Sequence, residues 1–303
     1  MRPLQAPPTH PHAIAGILFI IAAVACFSVL DTTTKALTAG VPLLMALWFR
    51  YAFQALAMSA VVLPRHGFRL PKTSHPKFQV LRGVLLICTS VFAFFSLRYM
   101  PVGEFTAIVM ITPLAITVLA ALTLGEKVSG LRWALVIGGF AGTLVIVRPG
   151  GDNFDWTWLL PLGVVVANAW FQTLTSRMAR TEDALTMHFY SGWVGVVAAS
   201  VMLPFAWVTL QSWTLWAGLG LIGLAGTLGH LLMIFGYARA PASTLTPFFY
   251  AQIGFSTFAG WLVFSHVPDL WSRWGIALIA VCGAAGAWLA VRESRVRIEL
   301  PEA

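Results

Sequence analysis

The chain has 303 residues, of which 58% are hydrophobic and only 10% charged, with a mean hydropathy of +0.81. A surface wetted on every side cannot be built from that composition, so a soluble enzyme is excluded and a membrane protein is implied. The net charge of +8 does not indicate nucleic acid, because the Lys and Arg side chains gather at the ends of apolar runs instead of on one solvated face.

Ten apolar runs follow in chain order, at 13–35, 41–63, 78–97, 102–124 and 128–147, then 156–175, 184–208, 213–238, 243–265 and 270–291. Each is about 20 residues or longer, enough to cross roughly 30 Å of hydrocarbon at 1.5 Å per residue. The runs are continuous, not alternating. In hydrocarbon a segment satisfies its own backbone only as a helix, so the expected fold is an all-α integral membrane protein of ten transmembrane helices. Connections are short, leaving a tail at 1–12 and another at 293–303 outside the membrane. Arg2 ahead of an apolar core that runs to Cys26 has the look of a secretion signal, but Asp31 and Lys35 extend the segment, so it is read as a retained span. Cys26, Cys88 and Cys282 all lie inside spans and are read as small buried hydrophobes, not disulfide partners.

With the N-terminus inside, one face collects Arg2, Arg65, Arg69, Lys72, Lys77, Arg82, Lys127, Arg132, Arg177, Arg180, Arg239, Arg292, Arg295 and Arg297. The other face has only Lys35, Arg98, Arg148 and Arg273. This asymmetry is expected to place both termini in the cytoplasm. Trp156, Trp158, Trp207, Trp213, Trp216, Trp271 and Trp274 fall near the outer span ends, as an interfacial aromatic belt does.

An offset of about 140 relates the two halves: Leu63-Pro64 with Leu203-Pro204, Phe49 with Phe189, Phe95 with Phe235, Pro101 with Pro241. Five crossings are an odd number, so the second copy enters from the opposite face. The expected organisation is two inverted five-helix repeats, 13–149 and 150–292. That arrangement is the signature of secondary transporters, with the substrate site near the mid-plane between the copies.

These residues carry a family resemblance. The segment SLRYMPVGEFTAIVMITPLAITVLAALTLGEKVSGLRWALVIGGFAGTLVIVRP, Ser96 to Pro149, resembles the EamA module of the drug/metabolite transporter superfamily. Pro101 before the fourth span, Pro113 within it and the Gly125-Glu126-Lys127 turn before a glycine-bearing fifth span carry the likeness, as does the stretch from Lys35 through Pro42 to Arg50. In the second copy the turn is replaced by Ser265-His266-Val267. The resemblance implies a ten-helix carrier, similar to bacterial exporters of amino acids, aromatic ones included, and other metabolites. It does not fix the substrate, because members carry amino acids, nucleotide precursors, vitamins, sugars and drugs.

Arg50 lies nine residues inside the second span, about 13 Å from its outer boundary by helix rise. It must face protein or a wet cavity, and two readings stand. In one it is a structural group paired with Asp31, about 6 Å from the same face on the first span, or with freed carbonyls; in the other it offers a bidentate donor to a substrate carboxylate. Pro113 on the fourth span, and Pro247 and Gly254 on the ninth, interrupt equivalent spans and are read as gating positions. A semi-polar stripe of Thr106, Met110 and Thr117 on the fourth span matches Thr246, Tyr250 and Thr257 on the ninth, and serves either a cavity lining or helix packing. His230 maps on Ser90 of the third span and is either a site residue or a hydrogen-bond partner of a neighbouring helix. Asn168 and Gln172, beside Trp170, offer amide groups, and Phe95, Tyr99, Phe249 and Tyr250 complete an aromatic lining.

Motifs for zinc hydrolysis, a serine nucleophile or a phosphate loop are absent, so no enzyme, cofactor or metal is expected. Asp31 and Glu104 are read as lying near the outer face, leaving no buried acid in the centre to await a cation. The expectation is an alternating-access carrier, a monomer or weak homodimer in the lipid bilayer, exporting zwitterionic amino acids with apolar or aromatic side chains. Uptake or exchange of S-adenosylmethionine or a nucleoside is the alternative, and a passive channel a remote one.

Overall fold

The computed structural model describes residues 13–116, 119, 130–148, 155–179, 181–240, 245 and 248–299. Thr117, the Gly125-Glu126-Lys127 turn, Thr246 and Pro247 lie outside the described residues. Ten α-helices are delimited among them: α1 Ala13–Leu37, α2 Leu43–Arg65, α3 Pro76–Tyr99, α4 Val102–Val109 and α5 Gly130–Val147 form the first half. In the second are α6 Leu160–Met178, preceded by a 3₁₀ turn, α7 Ala184–Met202, α8 Trp213–Arg239, α9 Ala251–Phe264 and α10 Leu270–Glu299. Six of the helical stretches are long and apolar enough to span a bilayer as described, and shorter apolar stretches at Val102–Ile116, Trp133–Val147, Ala251–Phe264 and Leu270–Gly286 occupy the remaining expected positions. The fold is therefore the all-α, ten-helix membrane architecture.

Polar side chains start the helices where the expected ends fall. Asp183 accepts from the Thr186 N–H at 2.8 Å to open α7, Ser212 from the Thr214 N–H at 3.2 Å to open α8, and Asp269 from the Ser272 N–H at 2.7 Å to open α10. The fourth span is broken where the sequence puts a proline. Pro113 has no N–H for the Val109 carbonyl, and the Thr112 hydroxyl donates to that oxygen instead, at 2.6 Å. The helix turns at Met110 and Ile111 before resuming. Tyr250, which the 140-residue offset pairs with Met110, occupies the equivalent turn before α9.

The helices pack across the halves. α1 lies on α8 and α9, α3 on α6 and α7, α2 on α7 and α8, α4 on α9 and α6, and α5 on α10. Exchanging each helix with the one five places on maps this set of pairs onto itself, which is the pattern of a pseudo-two-fold axis. Small residues allow the closest seams: an added Cβ at Gly229 would stand 2.6 Å from Phe27 and at Gly275 2.5 Å from Ile146, and one at Gly195 would run into the Tyr51 ring. Large apolar side chains such as Leu18, Ile137, Val166, Val197, Leu262 and Val281 point outward, as a lipid-facing surface requires. Cys26, Cys88 and Cys282 are free thiols.

Candidate functional site

The ends of the bundle are tied by polar contacts between the halves. On one end the buried Glu104 on α4 bonds His266 at 3.0 Å, and Arg148 after α5 pairs with Asp269 at 2.8 Å. The Ser272 N–H, and then the Arg148 guanidinium, hold the Asp269 carboxyl below the usual carboxylate range. Lys35 caps the end of α3 there, donating to the carbonyls of Leu97 at 3.0 Å and Met100 at 2.8 Å.

At the opposite end, Arg82 departs from the sequence reading, which counted it with the cytoplasmic surface. It is 1% exposed, on the inward face of α3. Its Nε donates to Thr175 Oγ1 at 3.0 Å, and its Nη1 to the Met187 carbonyl at 3.0 Å and to Gln79 Oε1 at 3.3 Å. The guanidinium also lies over Phe171, 5.3 Å from the ring centroid. Arg82 thus joins α3 to α6 and α7.

Between these ends a central cavity of about 80 Å³ is walled by α1, α2, α3, α4, α6, α8 and residues around the α9 turn. Arg50 is its cation. Nη1 donates to Ser90 Oγ at 2.8 Å and Nη2 lies 3.2 Å from His230 Nε2. Ser90 gives its own proton to the Leu86 carbonyl at 2.8 Å, so its lone pairs take Arg50 and the Tyr51 hydroxyl, the latter at 2.7 Å. Arginine only donates, so His230 Nε2 must accept and its proton sits on Nδ1, a tautomer assigned from this network. The imidazole is held between Phe27, 4.8 Å away between centroids, and Phe171 at 5.7 Å.

Asp31 also lines the cavity, and it forms no ion pair with Arg50. This corrects the expected Asp31–Arg50 pair, and also the view that no buried acid faces the centre. Asp31 instead accepts from Gln252 Nε2 at 3.2 Å, while neighbouring Ser28 and Ser256 bond each other at 2.9 Å and tie α1 to α9. Arg50 and Asp31 therefore each hold neutral partners and look onto one space.

Of the other expected site residues, Met110, Asn168, Gln172 and Phe249 line the cavity with His230. Gln172 Oε1 accepts from Tyr237 at 3.0 Å, and Tyr237 stacks on Phe249 at 6.2 Å. Thr106 and Tyr250 are buried with hydroxyls lacking a partner among the described residues, but they pack outside this cavity; Tyr250 presses on Gly283 of α10. Phe95 packs edge-on against Phe94, away from the centre. Tyr99 is 50% exposed, and Trp170 at 45% faces an outer groove, so neither lines this cavity. Gly254 is exposed, with open space where a Cβ would stand, so it packs against nothing in the fold. Gln252, Thr89, Phe27 and Phe105 also line it and are not singled out in the sequence, nor is Ser90 beyond its match to His230; Leu30, Ala93, Val109, Val164 and Met233 supply the apolar rest. A glutamine mid-way along an apolar run was the available signal for Gln252.

Known proteins agree with this architecture. Residues 14–148 match the model of the EamA-like transporter family. The chain is 31% identical to a riboflavin transporter of Rhizobium johnstonii over 88% of its own length and 89% of the relative's. It is 27% identical to an S-adenosylmethionine uptake transporter of Rickettsia prowazekii, over 87% and 89% of the two chains. A pseudopaline exporter of Pseudomonas aeruginosa is 24% identical over 88% and 94%. A solved crystal structure superimposes with a TM-score of 0.67 at 20% identity, covering 92% of this chain and 99% of the other, which establishes the fold. The chain is a transporter, not an enzyme, and belongs to the EamA-like transporter family of the drug/metabolite transporter superfamily.

Proposed function

We propose that the protein is an alternating-access carrier for metabolites bearing an α-amino-acid head group, exporting amino acids with apolar or aromatic side chains. The repeats 13–149 and 150–292 rock about the central site, in a bacterial inner membrane with both termini cytoplasmic, as a monomer or weak homodimer. One observation carries the reading: Asp31 and Arg50 face the same cavity with neutral partners and no ion pair between them. Opposite charges inside a membrane protein ordinarily pair with each other, and a zwitterion completes both when it spans them, carboxylate to Arg50 and ammonium to Asp31. Phe27, Phe105 and Phe249 then receive the apolar part. Pockets that enclose a small ligand begin at roughly 300 Å³. At about 80 Å³ the cavity is contracted, and the bundle must open to admit the cargo.

S-adenosylmethionine is the second reading, since it carries the same head group and a sulfonium that Asp31 and the aromatic faces suit. Riboflavin has no zwitterion and would leave both charges without a charged partner. Counterflow in proteoliposomes tests the assignment. Phenylalanine, leucine or S-adenosylmethionine should exchange, whereas the amino-acid methyl ester and the N-acetyl derivative, each lacking one charge, should not. Exchange of riboflavin with none of the zwitterions would overturn it, and flux without counterflow would indicate a pore.

A further inference from the structure

A second opening lies outside the bundle, between the start of α3 and the end of α6, at the basic end of the molecule. It holds about 280 Å³, more than the central cavity, and is separate from it. Phe78, Leu81 and Leu85 form one wall, and Trp170 and Leu174 the other. From His75, at the mouth, to Leu85 the helix rises about 15 Å. That is about the hydrocarbon depth of one leaflet.

The mouth is cationic. Arg177 and His75 line it, and neither side chain bonds another described side chain; Lys72 and Lys77 stand nearby in sequence. The two acids of the adjoining loop are already engaged by backbone: Glu182 accepts the Ser74 N–H at 2.8 Å and Asp183 the Thr186 N–H at 2.8 Å. Below Arg177 by four residues, about 6 Å of helix rise, Thr173 on the groove wall has a hydroxyl with no partner among the described residues. The order from the mouth inward is cation, lone hydroxyl, apolar slot. A phospholipid presents the complementary order of phosphate, ester carbonyl and acyl chain.

We infer that this groove is a binding site for one anionic phospholipid, with its phosphate on Arg177 and His75 and one acyl chain between α3 and α6. Basic pockets between transmembrane helices on the cytoplasmic side suit such head groups. A bound chain fills the gap beside Leu81 and Trp170 that side chains leave open.

The test is native mass spectrometry of the full chain, purified in detergent and offered dioleoyl phosphatidylglycerol or dioleoyl phosphatidylcholine. The two lipids share chains and differ in net head-group charge. Phosphatidylglycerol adducts should exceed phosphatidylcholine adducts by about five-fold, the worth of one arginine at an anionic lipid. Arg177→Gln, at an exposed position outside the central site, should abolish the preference while amino-acid counterflow persists; Leu81→Trp should fill the slot and remove both adducts. Equal retention of the two lipids, or a preference untouched by Arg177→Gln, overturns the inference. So does competition by glycerol phosphate at the same strength as the whole lipid, which would assign the cations to a free phosphate ester.

Discussion

Replacing Arg82 with Met, which fills much of the same space, removes three charge-assisted hydrogen bonds and one ring contact. At about 1.5 kcal/mol for each bond, toward the upper end for membrane interiors, the bonds contribute roughly 4.5 kcal/mol. Stacking on Phe171 adds about 1 kcal/mol. Against this, the substitution recovers the cost of holding an arginine away from water, about 2.5 kcal/mol. The balance is a loss of roughly 3 kcal/mol, read by reversible unfolding in mixed micelles of increasing denaturing detergent. Arg82→Lys, which retains charge without the planar fork, should fall between the two. Thr175→Val removes one acceptor, and its effect should largely vanish in the Arg82→Met background, since the two residues share a bond. An Arg82→Met protein as stable as the parent, within about 0.5 kcal/mol, would refute the reasoning, because it would mean that desolvation cancels the whole network.

Asp31→Asn keeps an oxygen for Gln252, so folded yield should match the parent while amino-acid counterflow is lost; a drop in yield equal to that of Arg50→Lys would restore the pairing of the two as a scaffold. Arg50→Lys loses the planar fork that spans Ser90 and His230, and should cost about 1 kcal/mol in unfolding measurements along with the transport of carboxylates. Gly229→Ala places a methyl 2.6 Å from Phe27 and should destabilise by about 1–3 kcal/mol while pushing that ring toward the cavity and slowing exchange. Because the folded Asp269 carboxyl is held below its unfolded value, its link is present above about pH 4 and is lost as pH falls through the folded value. That half-exposed pair is worth less than about 1 kcal/mol, so acid should change the labelling rate of a cysteine at Ala280 only slightly, and Asp269→Asn should remove the pH dependence.

The ten helices were legible because hydrocarbon leaves the backbone no alternative, and each apolar run declares its own length. An odd number of crossings implies that the halves are inverted, but which helices meet was not legible; the structure supplies those pairs. The site was legible only where a residue is anomalous for its solvent. Arg50, His230, Asn168 and Gln172 stand out inside apolar runs, and all four reach the cavity. Aromatic residues carry no such signal, since a ring suits lipid, core and cavity alike; Tyr99 and Trp170, read as part of a lining, are exposed. Arg82 was missed for the opposite reason, because near a span end a charge is ordinary and only the turn of α3 decides that it points inward. The Asp31–Arg50 pair failed on azimuth: rise along two helices gives relative depth, but not whether two side chains meet.

The pseudo-symmetry is not equal on its two sides, and the glycines say why. On α8, Gly218, Gly223, Gly226, Gly229 and Gly236 admit Leu37, Phe53, Arg50, Phe27 and Ile20 in turn, so α8 closes on α1 and α2 along its length. Its counterpart α3 carries the single glycine Gly83, packed on Val194; it meets α6 closely where Phe92 packs on Gly163 and leaves the outer groove only toward the basic end. Separating α8 from α1 would strip a seam in which nearly every small residue meets a side chain, losing dispersion that lipid replaces poorly at a concave backbone. Parting α3 from α6 breaks the Arg82 network but little close packing at that end. On the proposed alternating-access reading, the helix set around α8 is the wall expected to stay fixed, with His230 on it and Arg50 packed against it at Gly226. The opposing wall of α3 and α6 is then expected to part on the basic side, where the Arg82 network holds it, while Arg50 still ties α2 to α3 through Ser90.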